Sequence, residues 1–176
     1  MKKFLFDTNS LSSLLKRHDK HHNFFTSRIN NFDSLDESVK IYASILSIFE
    51  MEYGAAHATI PELVKEARTA LEFLKAQKDA KKVMIEILPL TIRQAEIFGE
   101  IKEQFQKRKE EIGEKIGKRS LPKHNIDLII TATAIEFEAT LVSNDKKMFE
   151  LIQNIRSDFK WEDWTSSISA DVSCPN

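Results

Sequence analysis

Residues 2–9 read KKFLFDTN, in which three apolar residues run directly into an aspartate, a threonine and an asparagine. A short, continuously apolar run is typical of a strand that is covered on both faces, as in a parallel sheet. We therefore predict a strand over residues 2–7, with Asp7 at its carboxyl end. The Asp7 carboxylate either closes an Asx-turn after this strand or is held there as a ligand.

The alternation of short apolar strands with helical patterns continues along the whole chain. Further strands are predicted over residues 39–43, VMIEILPL (83–90), TLVS (140–143) and FKWEDW (159–164). Helices are predicted over residues 11–16, within 18–38, from 47, and over 62–81, 91–112, 126–139 and 144–152. This order predicts right-handed crossovers and an α/β fold, a three-layer α/β/α sandwich around a central, mainly parallel sheet of four or five strands.

Capping residues predict where three of the helices begin. Ser47 and Glu50 have the Ser-x-x-Glu spacing of a capping box, which places Glu50 in the opening turn of its helix. Thr91 and Asn125 are candidate N-caps of two later helices.

The bulk composition indicates one soluble globular domain. The 176 residues are 41% apolar and 30% charged, and we predict a domain over residues 1–164 followed by a flexible tail, 165–176. Cys174 is the only cysteine, so an intramolecular disulfide is excluded. The apolar run after the first lysines is too short for a signal peptide or a membrane span, so we expect a cytoplasmic protein that does not enter a membrane. The net charge of −1 does not indicate a nucleic-acid partner, although residues 107–124 are rich in lysine and arginine.

Four acidic residues are predicted to lie at one edge of the sheet. Asp7 ends the first strand, Glu50 opens the helix after the second, Asp127 opens the helix before the fourth, and Asp145 follows the fourth. Each has a structural explanation by itself, as a turn residue, a capping-box partner or a favourable charge at a helix N-terminus. Those roles do not explain four acids at the same end of one sheet, where ligand sites of α/β folds lie.

Clustered carboxylates repel one another, so either some of them take up protons or a divalent cation binds. Two unit charges about 5 Å apart repel by roughly 3 kcal/mol at an effective dielectric constant near 20. A set of oxygen ligands without cysteine, and with no obvious histidine, favours Mg²⁺ or Mn²⁺ over Zn²⁺. Such an ion activates water and offsets charge that builds up on a phosphodiester.

Four segments of the chain resemble the PIN-domain family, most closely its VapC-type toxin ribonucleases: FLFDTNSLSSLL, SILSIFEMEYGA, NIDLIITATAIEFEATLVSNDKKMF and FKWEDW. The resemblance implies a metal-dependent endoribonuclease with a four-acid site. Asp7 matches the first aspartate in DTN, and Glu50 matches the glutamate of the E-x-x-Y-G segment, here EMEYG. Asp127 matches the acid that opens the apolar helix, and Asp145 matches the acid of the T-N-D segment.

The resemblance also indicates accessory residues and departures. Ser143 replaces the commoner threonine of T-N-D and keeps a hydroxyl, and Asn9 and Asn144 match polar positions around the metal or substrate. The segment before the second strand, residues 16–38, is longer than in compact members. Glu52 is interpreted as an exposed helix residue, and His124 as a surface or capping residue.

The partners implied by the resemblance are an RNA substrate, a second copy of the chain and a cognate antitoxin whose peptide tail covers the site. Lysines and arginines of residues 107–123, with Lys146 and Lys147, would bind phosphates. Two alternatives stay open. One is a PIN nuclease that is not a toxin and acts on DNA or structured RNA, and the other is a non-catalytic RNA-binding or interaction module.

Overall fold

A computed structural model describes residues 1–34, 38–76, 85–111 and 124–165 of the chain. In chain order they form β1 (Lys2–Phe6), α1 (Thr8–Leu15), α2 (His22–Ser34), β2 (Val39–Ser44), α3 (Ile45–His57), α4 (Pro61–Ala76), β3 (Ile85–Leu88), α5 (Ile92–Glu111), α6 (Asn125–Glu136), β4 (Thr140–Val142), α7 (Lys146–Ile155) and β5 (Trp161–Glu162).

The strands form one parallel sheet of five strands in the order β3-β2-β1-β4-β5. Strand β1 lies at its centre and pairs with β2 on one side and with β4 on the other. The predicted parallel α/β/α sandwich is therefore confirmed. Because all strands point the same way, the residues that follow β1, β2 and β4 lie at one edge of the sheet.

The side chains of β1 alternate between two cores, which explains the three layers. Phe4 and Phe6 pack with α1–α4 on one face, whereas Leu5 packs with α5–α7 on the other. All three are buried, as expected for a central strand that is covered on both faces.

The predicted start of α3 is wrong. Strand β2 runs directly into the helix, and the Oγ of Ser44 accepts the N-cap hydrogen bond from the Leu46 amide at 3.3 Å. Ser47 is instead buried inside α3, where its hydroxyl has no hydrogen-bond partner among the described residues. Glu50 is consequently the sixth residue of α3 and lies in its second turn, not in a capping box.

The other helix starts differ in how well capping residues predicted them. Thr91 caps α5 as expected, since its Oγ1 accepts from the Gln94 amide at 3.1 Å, and Gln94 accepts from the Thr91 amide at 3.4 Å. Asn125 is the first helical residue of α6, and His124 occupies the cap position without a side-chain hydrogen bond. Helix α1 begins at Thr8, directly after Asp7, which is earlier than the predicted residue 11.

Several predictions fall partly or wholly outside the described residues: the junction at 77–84, the glycines at 113 and 117, most of the basic run, and all but Thr165 of the tail. The domain limits therefore stay a prediction. Of the helices in the described ranges, none combines the length and apolar character needed to cross a membrane.

An aromatic cluster around Trp164 joins the C-terminal end of the domain to β1 and α2. The Trp164 ring packs edge-on against Phe4 and Phe6, with ring centroids 4.9 and 5.2 Å apart, and lies near Phe25. Its indole nitrogen donates to Glu162 at 2.8 Å. Phe25 of the longer 16–38 segment thus serves the core, whereas Phe24 is partly exposed.

Replacing Trp164, which is 1% exposed, with alanine should lower the free energy of unfolding by about 3–5 kcal/mol, because it leaves a large cavity and removes one of the two hydrogen bonds to Glu162, the other coming from Arg28. Urea denaturation measures this loss. Ile92→Ala, at a residue that is 83% exposed, is the control and should change stability by less than about 0.5 kcal/mol. Equal denaturation midpoints for the two variants would contradict the role given to Trp164.

Candidate active site

The pairing of β1 with β4 brings two of the predicted site segments side by side. Phe6 is in register with Val142, and the Asp7 amide donates to the Val142 carbonyl at 3.2 Å. Asp7 and Ser143, the residues that follow these strands, therefore lie next to each other at the carboxyl edge of the sheet.

Asp7 is both a helix cap and a buried acid, so its two interpretations are not exclusive. Its Oδ1 accepts from the Ser10 amide at 2.7 Å and caps α1, and only 8% of the residue is exposed. Burial raises the pKa of the Asp7 carboxyl above its usual value, although hydrogen bonds from the Ser143 side chain and the Ser10 amide oppose this. The strand thus holds a carboxylate in a poorly solvated position.

Ser143 connects Asp7 with Asp145. It is fully buried, its side chain hydrogen-bonds to the Asp7 carboxyl, and its Oγ accepts from the Asp145 amide at 3.2 Å. The Asp145 carboxylate in turn caps α7 by accepting from the Met148 amide at 3.3 Å. One hydroxyl therefore joins the acid after β1 to the acid after β4.

Glu50 reaches the same edge from the second turn of α3. Its Oε2 accepts a short hydrogen bond from the Oγ1 of Thr8, the residue next to Asp7. The sequence analysis did not identify Thr8. Thr8 carries a hydroxyl and lies between Asp7 and Asn9 in the DTN segment, and both of those residues were predicted to belong to the site.

Asp127 provides the clearest sign that the four acids lie together. It occupies the first turn of α6, and its pKa is raised to about 6. Burial is the largest cause, followed by the charges of Glu50, Asp7 and Asp145. Each of the other three acids is therefore near enough to disfavour the charged form of Asp127.

The remaining predicted residues lie around this cluster. Asn9 and Asn144 are exposed, and within the described ranges neither side chain hydrogen-bonds to the four acids. His124 lies beside the cluster, with its Nδ1 3.9 Å from the Asp127 Oδ2. Glu52 belongs to the surface instead, since it forms ion pairs with Arg68 at 2.7 Å and Lys75 at 3.3 Å.

The chemistry of the four acids suits a hard divalent cation, because all the donors are carboxylate oxygens. In the described part of the chain, however, no three Asp, Glu, His or Cys side chains are positioned as a ready-made metal site. Asp145 is exposed and 42% of the Asp127 side chain is open to solvent, so both have room to rotate. The described arrangement is therefore a cluster of acids and not a preformed metal site.

Two cavities flank the four acids. On the Asp145 side, a cavity of about 450 Å³ lies between α5 and α7, with Lys109, His124 and Lys147 in its wall. On the Glu50 side, a cleft of about 290 Å³ lies between α1, α3 and α4. Asp145 thus borders one cavity and Glu50 borders the other.

Asp127→Asn should stabilise the protein in metal-free buffer at about pH 7.5, because it removes one of four mutually repelling charges. The folded pKa of about 6 lies above the usual 3.8, so the wild type loses stability as the pH rises from about 4 to about 6. Since 42% of the side chain is exposed, solvent screening reduces the gain to about 1 kcal/mol.

Urea denaturation at about pH 4 and about pH 7.5 measures this difference, which should vanish at the lower pH. Asp158→Asn is the control and should lower the free energy of unfolding at about pH 7.5 instead of raising it, because a hydrogen bond from Arg156 lowers the pKa of Asp158. A loss of stability in Asp127→Asn at pH 7.5 would show that the acids do not repel one another in the folded protein.

Comparisons with known proteins agree with this architecture. Residues 4–153 match the PIN domain family. Among solved structures, the chain is similar to the DNA-bound VapBC complex from Salmonella typhimurium, with 22% identity, a TM-score of 0.62, and coverage of 93% of this chain and 99% of that chain. It is also similar to VapBC-1 from nontypeable Haemophilus influenzae, with 21% identity, a TM-score of 0.60, and coverage of 93% and 99%.

A third similar structure is VapBC2 from Rickettsia felis bound to a promoter DNA fragment, with 21% identity, a TM-score of 0.59, and coverage of 92% and 98%. At these identities the structures share the fold of this chain. No curated protein matches its sequence. Because the family match spans most of the chain, this protein belongs to the PIN domain family.

Proposed function

We propose that this PIN-domain protein is a metal-dependent endoribonuclease and the toxin of a toxin–antitoxin pair. The observation that supports this most directly is the pKa of Asp127, which burial and, after it, the charges of Glu50, Asp7 and Asp145 raise to about 6. Helix capping accounts for Asp7 and Asp145, and a charge at a helix N-terminus accounts for Asp127, but neither accounts for Glu50 or for the proximity of all four acids. A site for a cation that acts on phosphodiesters accounts for all four.

In this proposal Asp7, Asp127 and Asp145 hold Mg²⁺ or Mn²⁺, and Glu50 either joins them or orients a water molecule. When bound, such an ion makes water more acidic and offsets negative charge on the phosphodiester. The protein's own hydrogen bonds fix two of the acids beforehand. Ser143 and the Ser10 amide hold Asp7, and Thr8 holds Glu50.

The cavity between α5 and α7 has two lysines in its wall for the RNA backbone, together with the carboxylates of Asp145 and Glu150. Lys109 and Lys147 lie in its wall beside Asp145, together with His124. Lys146 pairs with Glu150 at 3.6 Å on the exposed surface of α7. The four acids alone would repel a polyanion, so cations in this position are needed for binding.

The proposed antitoxin partner has a suitable surface on the other side of α1. An apolar groove of about 480 Å³ lies between α1, α2 and α4, with Leu14, Ile29 and Phe73 in its wall. Such a groove suits the apolar face of an amphipathic helix. The similar solved structures are themselves toxin–antitoxin complexes, which supports a partner of this kind.

The proposed homodimer is supported by exposed apolar side chains on α3 and at the start of α4, namely Phe49, Tyr53, Ile60 and Leu63. Exposed apolar side chains that form a patch commonly mark protein contacts, and Phe49 and Tyr53 lie one turn apart on α3. The alternatives are cleavage of DNA or structured RNA, and a non-catalytic module in which the acids only cap helices. The caps formed by Asp7 and Asp145 are compatible with the module.

Asp7→Asn should reduce Mg²⁺- or Mn²⁺-dependent cleavage of single-stranded RNA by at least about 10²-fold, because it removes a charged ligand from the site. Gel analysis of a labelled RNA, with and without EDTA, measures the loss. Glu52→Gln is the matched control, since Glu52 lies on the same helix as Glu50 but pairs with surface cations.

Equal residual cleavage by the wild type and Asp7→Asn would indicate a contaminating nuclease and reject the proposed activity. Binding of RNA without cleavage would favour the non-catalytic module. A matched deoxyribose oligonucleotide distinguishes ribonuclease from deoxyribonuclease activity.

Ser143→Ala should move the acid limb of the cleavage pH profile to higher pH, because Asp7 loses a hydrogen bond that lowers its pKa. Ser143→Thr keeps the hydroxyl and should retain the wild-type limb. Initial rates between about pH 5 and about pH 8 test both variants. If the acid limbs of the pH profiles of Ser143→Ala and Ser143→Thr coincide, the Ser143 hydroxyl does not lower the pKa of Asp7.

A further inference from the structure

The cleft between α1, α3 and α4 begins at the four acids and leads away from them. Thr8 and Glu50, which hydrogen-bond to each other, form its inner end. From there α1 lines one wall with Ser12 and Lys16, one and two turns beyond Thr8. The cleft is therefore continuous with the site and lies outside the set of acids.

The opposite wall of the cleft is unusually open. It is formed by α3 at Gly54, one turn beyond Glu50, and by Ala58, the next position on the same face. A Cβ added to Gly54 would meet no atom within 4 Å. The absence of a side chain at Gly54 thus leaves room beside the site, while the packing of α3 does not require glycine there.

Lys16 places a positive charge at the far end of this cleft. It is the C-cap of α1, roughly 12 Å from Thr8 at the 1.5 Å rise per residue of a helix. Among the described residues, no carboxylate lies within ion-pair distance of its ammonium group. Apart from Glu50 at the inner end, the residues that line the cleft carry no negative charge.

We propose that this cleft is a binding subsite for the nucleotide next to the scissile phosphate, a role that rests on the proposed nuclease function. Its volume of about 290 Å³ is at the lower limit of small-ligand pockets, about 300–1,000 Å³, and suits one nucleotide rather than folded RNA. Asn9 and Ser12 offer polar contacts to the sugar or base, and Lys16 binds the following phosphate.

The balance of charge favours a nucleic acid over a peptide as the occupant. A strand that crosses the acids carries phosphates to both sides of them, and Lys109 and Lys147 lie on one side only, in a cavity wall that also holds Glu150. Lys16 provides a cation on the other side. A peptide of the antitoxin is the competing occupant and is an outcome of the test below.

The test compares Gly54→Leu with Gly99→Leu. Both glycines are exposed, lie within helices and have no atom within 4 Å of an added Cβ, so both substitutions favour the helix. Only the leucine at 54 enters the cleft. Gly54→Ala is a smaller second variant in case the leucine variant folds poorly, and thermal melts by circular dichroism check folding.

Two substrates separate the subsite from the site itself. Bis(p-nitrophenyl) phosphate has a phosphodiester but no nucleotide, and a labelled single-stranded RNA of mixed sequence, about a dozen nucleotides long, extends along the protein. Gly54→Leu should raise KM for the RNA about tenfold with little change in kcat, since the lost contact is made in substrate and transition state alike. Its hydrolysis of the small diester should equal that of the wild type and Gly99→Leu.

Lys16→Gln gives a readout that does not depend on catalysis. Fluorescence anisotropy of the same RNA, bound to protein that carries Asp7→Asn, should show a salt slope reduced by about 0.7, the value for one phosphate contact on a single strand. Lys40→Gln is the control, because Lys40 is exposed near the opposite, amino end of β2.

The outcomes distinguish the subsite from the proposed function. If the wild type hydrolyses RNA and the small diester, but Gly54→Leu has the KM of Gly99→Leu, the subsite is rejected and the nuclease stands. If Gly54→Leu binds RNA normally but loses affinity for a cognate antitoxin peptide, the cleft belongs to the peptide. If the wild type hydrolyses neither substrate, both the nuclease and the subsite fall.

Discussion

The parallel pairing of β1 with β4 is the constraint on which the site depends. The two strands are distant in sequence, and their register, Phe6 opposite Val142, determines that Asp7 and Ser143 become neighbours. Burial of β1 on both faces keeps this pair rigid, because apolar side chains from two cores pack on alternate residues of the strand. A site assembled on the ends of central strands is held more precisely than one on a loop.

The same carboxylates that repel one another also stabilise local structure. Asp7 and Asp145 each cap a helix, and a negative charge at a helix N-terminus interacts favourably with the helix dipole. These local gains offset part of the repulsion among the acids, which acts after burial as a cause of the raised pKa of Asp127. The structural and chemical roles of the acids are thus complementary, and a binding site commonly retains unfavourable electrostatics of this kind.

The surface around the four acids has three regions that differ in charge and polarity. Lysines line the cavity beside Asp145, and a single lysine lies at the end of the cleft beside Glu50. The apolar groove behind α1 is separate from both. Helix α1 therefore borders the cleft with its polar face and the groove with its apolar face. A partner bound in the groove would contact the helix that carries Thr8.

The sequence by itself determined the alternation of strands and helices and the parallel α/β/α class, and it predicted the four acids as candidate site residues. These conclusions were accessible because apolar periodicity and short motifs are local. Capping was predicted less reliably, since both Ser44 and Ser47 suit an N-cap and only the length of β2 selects Ser44.

Only the tertiary structure decided the strand order, the hydrogen bond from Thr8 to Glu50, the link that Ser143 makes between two acids, and the cleft beside Gly54. Each depends on contacts between segments that are far apart in the chain, or on how helices pack across the sheet. The physical reason is that hydrogen bonds and open volume depend on distances in the folded chain, which local sequence patterns do not specify.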